Sequence, residues 1–384
     1  MKVENIMINQ QRICAEFMRQ AAIDSPSFKE ADIAAYLEER LLALGALVKF
    51  DQAGITIGST ANNLIARLPG SKDGAPLLFT MHMDTVTPAK NVTPILKEGV
   101  FTSGGDTVLG ADDKSGIVAL IEAIEVLTEQ NIPYVPLEIV ITICEEQGLL
   151  GAKELDYSQF KATQGIALDT SGIDIVINRA PAANRFKIDI SGHEAHAGIC
   201  PEQGISAIQI SSKAITNMIL GRIDHETTAN IGTIHGGLAT NIVPKQVSLR
   251  GEVRSHDINK LRHYTEAIIS AVEIEVAAAA ISISGESKLA VMGLELIEEF
   301  PAMEIADDAP ILQLIKKAGD TLNRPQEVRA AGGGSDANIF NGNGIEMVIM
   351  ATGMSNIHTI NESISVADLV KTSELLVEII RLAE

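Results

Sequence analysis

Short apolar segments, each bounded by polar or turn-forming residues, constrain the fold of this 384-residue chain more than any other feature. Runs of this kind are typical of β-strands buried on both faces. Helical patterns separate them, as in SGIVALIEAIEVLTEQ (115–130), where apolar residues recur every three or four positions. This alternation favours an α/β sheet. The predicted strands are NNLIARL (62–68), APLLFTMHMD (75–84), LEIVITIC (137–144), GIALD (165–169) and IEMVIMAT (345–352).

Two helices are predicted before the first of these strands. QQRICAEFMRQAAI (10–23) forms the first, and SFKEADIAAYLEERLLALG (27–45) forms the second. The second is expected to begin after Ser27 and to end at Gly45, since glycine commonly terminates helices.

The sequence pattern changes near Ala180. NRFKIDISGHEAHAG (184–198) alternates in polarity, and the elements that follow it have the order β-α-β-β-α-β, which is typical of a small sandwich with one helical layer. Buried-strand patterning resumes after about Ile305. We therefore predict a catalytic domain formed by residues 1–179 and 304–384, with a smaller domain, residues 180–303, inserted into it.

Charge and cysteine content exclude several classes of protein. The net charge of −20 and the pI of about 4.8 argue against nucleic acid or an anionic membrane surface as a partner. The three cysteines include no C-x-x-C pair, which fits a reducing compartment. The amino terminus lacks a long apolar region, so no signal peptide is expected, and no apolar stretch reaches membrane-spanning length. We expect a cytoplasmic protein.

Histidines and carboxylates lie at the ends of several predicted strands, and two further aspartates stand at the start of the helix that contains Ile117. Ligand sites in open α/β sheets form beyond the carboxyl ends of the strands. Imidazole and carboxylate together suit zinc, and also cobalt or manganese. Two metal ions that lie ~3.5–4 Å apart need a bridging carboxylate plus terminal ligands for each ion, and the set is large enough to supply them. Its members are His82, Asp84, Asp112, Asp113, Glu145, Glu146, Asp169 and His358.

Two spacings within this set suggest separate roles. Asp84 lies two residues after His82 on an extended chain, so it can accept the second imidazole N–H and fix the tautomer. Glu145 and Glu146 are adjacent at the end of an apolar strand, where two like charges repel each other. One of them can bind metal while the other remains free to act as a general base.

Six short motifs occur along the chain in the order MHMDT (81–85), GADDKSG (110–116), CEEQGLLGAK (144–153), ALDTSG (167–172), GHEAHAG (192–198) and NIHTINES (356–363). They resemble, in the same order, those of the co-catalytic di-zinc metallopeptidase family, which includes aminoacylase, carboxypeptidase G and peptidase T. The resemblance covers nearly the whole chain and is strongest to the peptidase T branch, through LGADDKSG and NIHTINE.

The resemblance implies a fold, a chemistry and a set of roles. It implies a mixed, mostly parallel sheet flanked by helices, with residues 180–303 as an α+β lid through which homodimers form. It implies hydrolysis of an amide bond in short peptides, with two zinc ions per chain and a metal-bound water activated by Glu145. Asp84 would orient His82, and the peptide bond after Asp112 would be cis. The implied metal ligands are His82, the bridging Asp112, Glu146, Asp169 and His358.

The resemblance also extends to the inserted domain, with one departure elsewhere in the chain. His196 would stabilise the oxyanion or bind substrate, from this chain or from a partner, and Asn241 and Arg254 would hold the substrate. Peptidase T carries an arginine, aimed at the carboxylate of its substrate, where this chain has Gly332. Arg329 lies three residues earlier, so selectivity for tripeptides does not follow from the resemblance.

Simpler structural roles compete for several residues. Asp113 is interpreted as a cap of the following helix, and Lys114 as the partner of a nearby acid in the first helical turn. Cys144 is interpreted as a small buried hydrophobe. HEAH (193–196) is one residue short of the zinc-binding H-E-x-x-H motif, so His193 is assigned a structural role.

Other functions compete with that of a peptidase of short peptides. The same metal centre would serve an amidohydrolase of N-acyl amino acids or a dipeptidase. A serine hydrolase is disfavoured because the chain has no G-x-S-x-G. A protein that only binds metal would have no need of Glu145.

Overall fold

The computed structural model describes residues 7–384, which divide into two compact units. The first unit extends to Ala180 and resumes at Met303–Glu384, and the second is Pro181–Ala302. The expectation about a signal peptide concerns a segment whose first six residues lie outside the described range. Within residues 7–384, no helix combines the length and the apolar character needed to cross a membrane.

Both units contain strands and helices. The α-helices are α1 (Gln10–Ala21), α2 (Ala31–Ala43), α3 (Ala53–Ile57), α4 (Ala111–Glu129), α5 (Leu150–Lys153), α6 (Ala207–Thr216), α7 (Ile258–Ala278), α8 (Pro310–Thr321), α9 (Asp336–Gly342) and α10 (Val366–Leu382). The strands are β1 (Leu47–Phe50), β2 (Leu64–Leu68), β3 (Leu77–His82), β4 (Pro94–Lys97), β5 (Val100–Ser103), β6 (Leu137–Thr142), β7 (Gln164–Thr170), β8 (Ile175–Ala180), β9 (Ala182–Ser191), β10 (Gly221–Arg222), β11 (Thr227–Gly236), β12 (Gln246–Ser255), β13 (Ala280–Ile283), β14 (Glu286–Leu289), β15 (Val291–Phe300), β16 (Met303–Glu304), β17 (Glu327–Ala330), β18 (Glu346–Ala351) and β19 (Ser363–Ser365).

A nine-stranded mixed sheet forms the centre of the first unit. Its order is β1-β2-β6-β3-β7-β18-β8-β16, with β17 also paired to β8. The four central strands β6, β3, β7 and β18 are parallel, whereas β2 and β8 join them antiparallel on either side. The predicted α/β class, with a mixed sheet flanked by helices, is therefore confirmed.

Burial explains why the central strands are apolar along their whole length. Every residue of β3 and β6 is buried, as expected for strands that are covered on both faces. Helix α4 packs against this sheet through the predicted apolar stripe, all of which is buried. The stripe consists of Ile117, Leu120, Ile121, Ile124 and Leu127.

Helix α2 begins later than predicted. It starts at Ala31 because Phe28 has a left-handed backbone (φ 71°) and Glu30 is not helical (φ −94°, ψ 6°). These residues form a turn instead of the first helical turn. The turn directs the buried Glu30 side chain toward Cys144.

The second unit is an antiparallel sheet in the order β10-β11-β12-β9-β15, with helices α6 and α7 packed on it. Its core combines strand residues such as Ile188 and Leu249 with helix residues such as Ile210 and Ile268. The short strand β10 and the hairpin β13–β14 are elements that the sequence pattern did not predict.

Candidate metal centre

The central sheet brings the predicted ligands to one edge of the first unit. His82 ends β3, Asp169 lies near the end of β7, and Glu145 and Glu146 follow β6 after two further residues. His358 follows β18 in a loop. Because these four strands are parallel neighbours, their carboxyl ends lie side by side.

Asp112 lies between two histidines that come from distant parts of the chain. Its Oδ1 is 3.1 Å from Nε2 of His82, and its Oδ2 is 3.1 Å from Nε2 of His358. Each oxygen of one carboxylate therefore faces a different imidazole. This is the arrangement that a carboxylate bridging two ions requires.

Two further carboxylates complete the groups around these histidines. Oδ1 of Asp169 lies 3.9 Å from Nε2 of His82, and Oε1 of Glu146 lies 2.9 Å from Nε2 of His358. Donor atoms around a tetrahedral zinc ion lie roughly 3.3–3.5 Å apart, given metal–ligand distances of about 2.0–2.2 Å. Although it is so close to the imidazole, the buried Oε1 of Glu146 takes part in no hydrogen bond within the described range of 7–384. The donor set thus fits divalent metal ions.

The buried carboxylates of the cluster favour the binding of a cation among them. The carboxylates of Asp112 and Glu146, which face its Nε2, raise the pKa of His358 to about 10, although burial opposes them. Burial opposes ionisation of Asp112, but the two histidines outweigh it and hold the pKa of that carboxyl well below its usual range. Burial, with the charge of Asp112, raises the pKa of Asp169 well above its ordinary value. Carboxylates buried this closely keep protons unless a cation neutralises them.

Asp113 has a different role from the helix cap that was predicted. Asp112 and Asp113 have non-helical backbone angles, and the peptide bond between them is cis, as the resemblance implies. Oδ2 of Asp113 accepts the backbone N–H of His82 at 3.3 Å, and the capping interpretation is therefore wrong. An oxygen of Asp113 also lies within 4.8 Å of ligand atoms of His82 and Asp169, which makes it an additional candidate ligand.

Asp84 orients the two glutamates more directly than it orients His82. The nearest partner of the His82 Nδ1 is the backbone carbonyl of Asp84 at 2.9 Å, whereas the Asp84 carboxylate lies at 3.5 Å. A carbonyl can only accept, so Nδ1 carries the proton and Nε2 is free to face the ligand group. The carboxylate of Asp84 accepts the backbone N–H groups of Glu145 (2.9 Å) and Glu146 (3.3 Å), and the hydroxyl of Ser27 (2.7 Å).

The turn that carries the glutamates is held by a second buried carboxylate. Oε1 of Glu30 accepts the backbone N–H of Cys144 at 3.2 Å and its thiol at 3.1 Å. Cys144 is buried, and burial together with Glu30 raises its pKa, in agreement with the interpretation as an unreactive side chain. Burial also raises the pKa of Glu145 well above its ordinary value, with a further contribution from Asp169 that His82 opposes.

Two nearby residues were misread or missed in the sequence. Lys114 does not pair with an acid of its own helical turn, because its buried Nζ donates to the carbonyl of Ile23 at 2.8 Å. Burial lowers its pKa to about 8. Asp336 was missed: its Oδ2 accepts the Thr142 hydroxyl at 2.5 Å, and burial raises its pKa to about 6. In the sequence, only its place directly after the glycine-rich run GGGS (332–335) could have suggested it.

The predicted substrate-binding residues lie in the second unit. His196 and Asn241 are exposed, on loops joined by a backbone hydrogen bond from Ala197 to Asn241 (2.9 Å). Nδ1 of His196 accepts the N–H of Gly198 at 3.2 Å, so a neutral ring carries its proton on Nε2.

Two other residues of the second unit already have partners. Arg254 makes two hydrogen bonds to Glu252, at 2.9 and 3.0 Å. Nδ1 of His193 lies 3.0 Å from the carbonyl of Gln203, which agrees with the structural role assigned to this histidine.

Comparison with known proteins places this geometry in a family. Residues 78–382 match the model of peptidase family M20/M25/M40. The chain is 43% identical over 375 residues to an uncharacterized protein of Bacillus subtilis, YqjE, covering 97% of this chain and 99% of YqjE. It is also similar to two solved structures. One is aminopeptidase PepT from Bacillus cereus, with 40% identity, a TM-score of 0.89, and coverage of 98% of this chain and 99% of that chain. The other is a tripeptidase from Staphylococcus aureus, with 37% identity, a TM-score of 0.92, and coverage of 98% of both chains. The chain belongs to peptidase family M20/M25/M40.

Proposed function

We propose that this protein is a metal-dependent exopeptidase that hydrolyses an amide bond in short peptides, as a tripeptidase or aminopeptidase does. The observation that carries the proposal is the position of Asp112, whose two oxygens each lie 3.1 Å from a different histidine Nε2. The aminopeptidase and the tripeptidase that this chain resembles support the same substrate class.

The proposed cofactor is a pair of zinc ions, for which cobalt or manganese could substitute. His82 and Asp169 would hold the first ion, and His358 and Glu146 the second, with Asp112 shared between them. Asp113 is a further candidate ligand beside His82 and Asp169. When bound, such a pair polarises the amide carbonyl and lowers the pKa of water.

Glu145 is the proposed general base. Its buried carboxylate would take a proton from the attacking water and deliver it to the departing amine, which is otherwise a poor leaving group. Asp84 supports this role because it accepts the backbone N–H of Glu145 and of Glu146. The same anchor would hold the base and the ligand side by side while their side chains serve different purposes.

The second unit is proposed to act as a lid and as the surface of a homodimer. His196 would stabilise the oxyanion, from its own chain or from a second copy, and the proton on its Nε2 suits a hydrogen-bond donor. Asn241 and Arg254 would hold the substrate. We also propose that the protein works in the cytoplasm.

One observation weakens the tripeptide assignment relative to a second candidate, an amidohydrolase of N-acyl amino acids or a dipeptidase. Gly332 occupies the position at which peptidase T carries its substrate-binding arginine. Arg329, the nearest arginine in the sequence, makes two hydrogen bonds of 2.6 Å to Glu327. A tripeptide carboxylate would therefore need a different partner.

A substrate panel separates the two candidates. Di-, tri- and tetrapeptides and N-acyl amino acids would be assayed with zinc, cobalt or manganese added to the metal-stripped protein, with Glu145→Gln as the matched inactive control. Turnover of tripeptides above all other substrates supports the tripeptidase. Turnover of N-acyl amino acids alone supports the amidohydrolase, and an absence of turnover under every condition overturns both.

A further inference from the structure

Glu362 is a buried carboxylate that lies close to the metal centre without belonging to the proposed ligand set. It is 2% exposed and follows His358 by four residues. Its Oε2 accepts the backbone N–H of Leu109 at 2.7 Å and of Gly110 at 2.8 Å, and its Oε1 accepts the N–H of Asp112 at 2.8 Å. Both oxygens are therefore engaged by the segment that delivers Asp112.

The loop that contains Glu362 also carries His358. Ser355 and Ser363 exchange two backbone hydrogen bonds, at 2.9 and 3.0 Å, and so close the loop at its base. Within it, His358 has a left-handed backbone conformation (φ 62°). One closed loop thus presents a proposed ligand at its tip and a backbone anchor for another proposed ligand at its base.

The geometry at Asp112 depends on that anchor. Its carboxylate must reach His82, on the end of β3, and His358 at the same time, each across 3.1 Å. Gly110 adopts a positive φ of 78°, so the segment makes a tight turn before Asp112. Three hydrogen bonds to one buried side chain fix this turn relative to the His358 loop.

We propose that Glu362 is a positioning residue of the metal centre, which sets the separation between Asp112 and His358 and thereby the affinity for the second metal ion. The inference rests on the proposed function, because it concerns the ion held by His358, Glu146 and Asp112. Partners of this kind around metal ligands typically contribute about 10- to 100-fold in metal affinity.

A matched control is available in Glu138. It is also 2% exposed and also accepts two backbone N–H groups, from Lys161 and Ala162, both at 3.0 Å. It lies in β6 near the amino end of the strand, opposite the end that Glu145 follows. Glu138→Gln therefore removes a buried, loop-anchoring carboxylate of the same unit without touching a proposed ligand.

The test is zinc titration of three metal-stripped proteins: the wild type, Glu362→Gln and Glu138→Gln. Zinc binding is measured by calorimetry and by competition with a chromophoric chelator. We expect two ions to bind the wild type and Glu138→Gln. In Glu362→Gln we expect the second ion to bind about 10- to 100-fold more weakly, with the first ion much less affected. Glu362→Asp keeps the charge but is one methylene shorter, and should give an intermediate loss.

The outcomes separate this inference from the proposed function. If the wild type and Glu362→Gln bind two ions equally well, the inference fails and the proposed function stands. An equal loss in Glu138→Gln also overturns the inference, because the effect would then be general destabilisation. A wild type that binds no zinc overturns both. If thermal unfolding shows that neither Glu362 variant folds without metal, the carboxylate is a core structural element and the positioning role is rejected.

Discussion

The candidate residues of the two units differ in how firmly the fold holds them. In the first unit, Asp112 lies within 3.1 Å of two imidazoles, and its backbone is anchored by a buried carboxylate. In the second unit, His196 and Asn241 are exposed, and Arg254 is already paired with a glutamate of its own strand. The candidate metal site can therefore be recognised from the first unit alone. The roles of the exposed side chains in the second unit depend on the substrate or partner chain that they contact.

The difference follows from the cost of burying charge. A buried carboxylate is tolerated only when hydrogen bonds or opposite charges satisfy it, so its partners must be built into the fold. Asp84 and Glu30 meet that requirement by accepting backbone and side-chain donors around Glu145. An exposed histidine needs no such partners, because water satisfies it.

The largest expected effect comes from removing the shared ligand. Asp112→Ala should abolish binding of both ions, because each loses a ligand, and should lower peptide turnover by more than about 10⁴-fold, the upper end for loss of a general acid–base group alone. Elemental analysis of the zinc-reconstituted variant and turnover assays check this. Two ions retained by Asp112→Ala would show that Asp112 is not the ligand shared by the two ions.

The next effect separates the two adjacent glutamates. Glu145→Gln should keep both ions and still bind peptide, yet lose about 100- to 10⁴-fold in turnover, because the amide cannot take a proton. Glu146→Gln should weaken the second ion, and excess zinc should restore part of the activity. Metal titration and kcat measurements on both variants decide. Metal loss in Glu145→Gln, with an inactive but fully loaded Glu146→Gln, would exchange the two roles.

A smaller effect is expected in the second unit. If His196 donates to the oxyanion, His196→Ala should lower kcat by roughly 100- to 1000-fold and leave the metal content unchanged. Wild-type turnover would assign His196 a structural role. Mixing His196→Ala with Glu145→Gln tests whether the histidine acts across a dimer, since mixed dimers would then regain activity.

The pH dependence of metal binding tests the electrostatics of the first unit. The pKa of His358 is raised to about 10, so the metal-free ring holds a proton at neutral pH that an incoming ion must displace. Affinity for the second ion should therefore rise with pH, by about tenfold per unit while the pH stays below that pKa. Cobalt titrations between pH 6.5 and 8.5, with proton release followed in two buffers, measure this. A flat profile would show that the ring is already neutral.

The smallest expected effect concerns substrate choice. A Cβ added at Gly332 would meet nothing within 4 Å, so the backbone of the loop accepts the first side-chain carbon of Gly332→Arg. If the loop faces the substrate carboxylate, the variant should gain about tenfold in kcat/KM for a free tripeptide over its amidated form, the effect of roughly one charge-assisted pair. Gly332→Ala is the control, and an unchanged ratio would place the loop away from that carboxylate.

Much of the fold follows from local sequence patterns. The strands of the parallel centre are continuous apolar runs, so their existence and their carboxyl ends could be predicted, and with them the meeting of His82, Asp169 and Glu146. The start of α2 could not be predicted in this way. Phe28 and Glu30 have non-helical backbone angles, and the Glu30 carboxylate accepts a hydrogen bond from Cys144, more than a hundred residues away.

The rest of the site depends on long-range contacts that no local pattern encodes. Glu362 lies 253 residues from Leu109, whose N–H it accepts, and Asp336 lies 194 residues from Thr142. In sequence, each is an ordinary acid beside a turn. The same reason explains the wrong predictions for Asp113 and Lys114. Each was expected to interact within its own helical turn, but Asp113 accepts the N–H of His82 and Lys114 donates to the carbonyl of Ile23.

The separation of the proposed ligands along the chain has a consequence for synthesis on the ribosome. His82, Asp112, Glu146 and Asp169 emerge first, and His358 follows only after the entire second unit has been made. At roughly 5–20 residues per second, the nascent chain spends about ten seconds or more with its acidic ligands made and the last imidazole missing. A chain cut short before His358 would lack both that proposed ligand and the anchor at Glu362, so the proposed two-ion centre could be completed only after translation has passed Glu362.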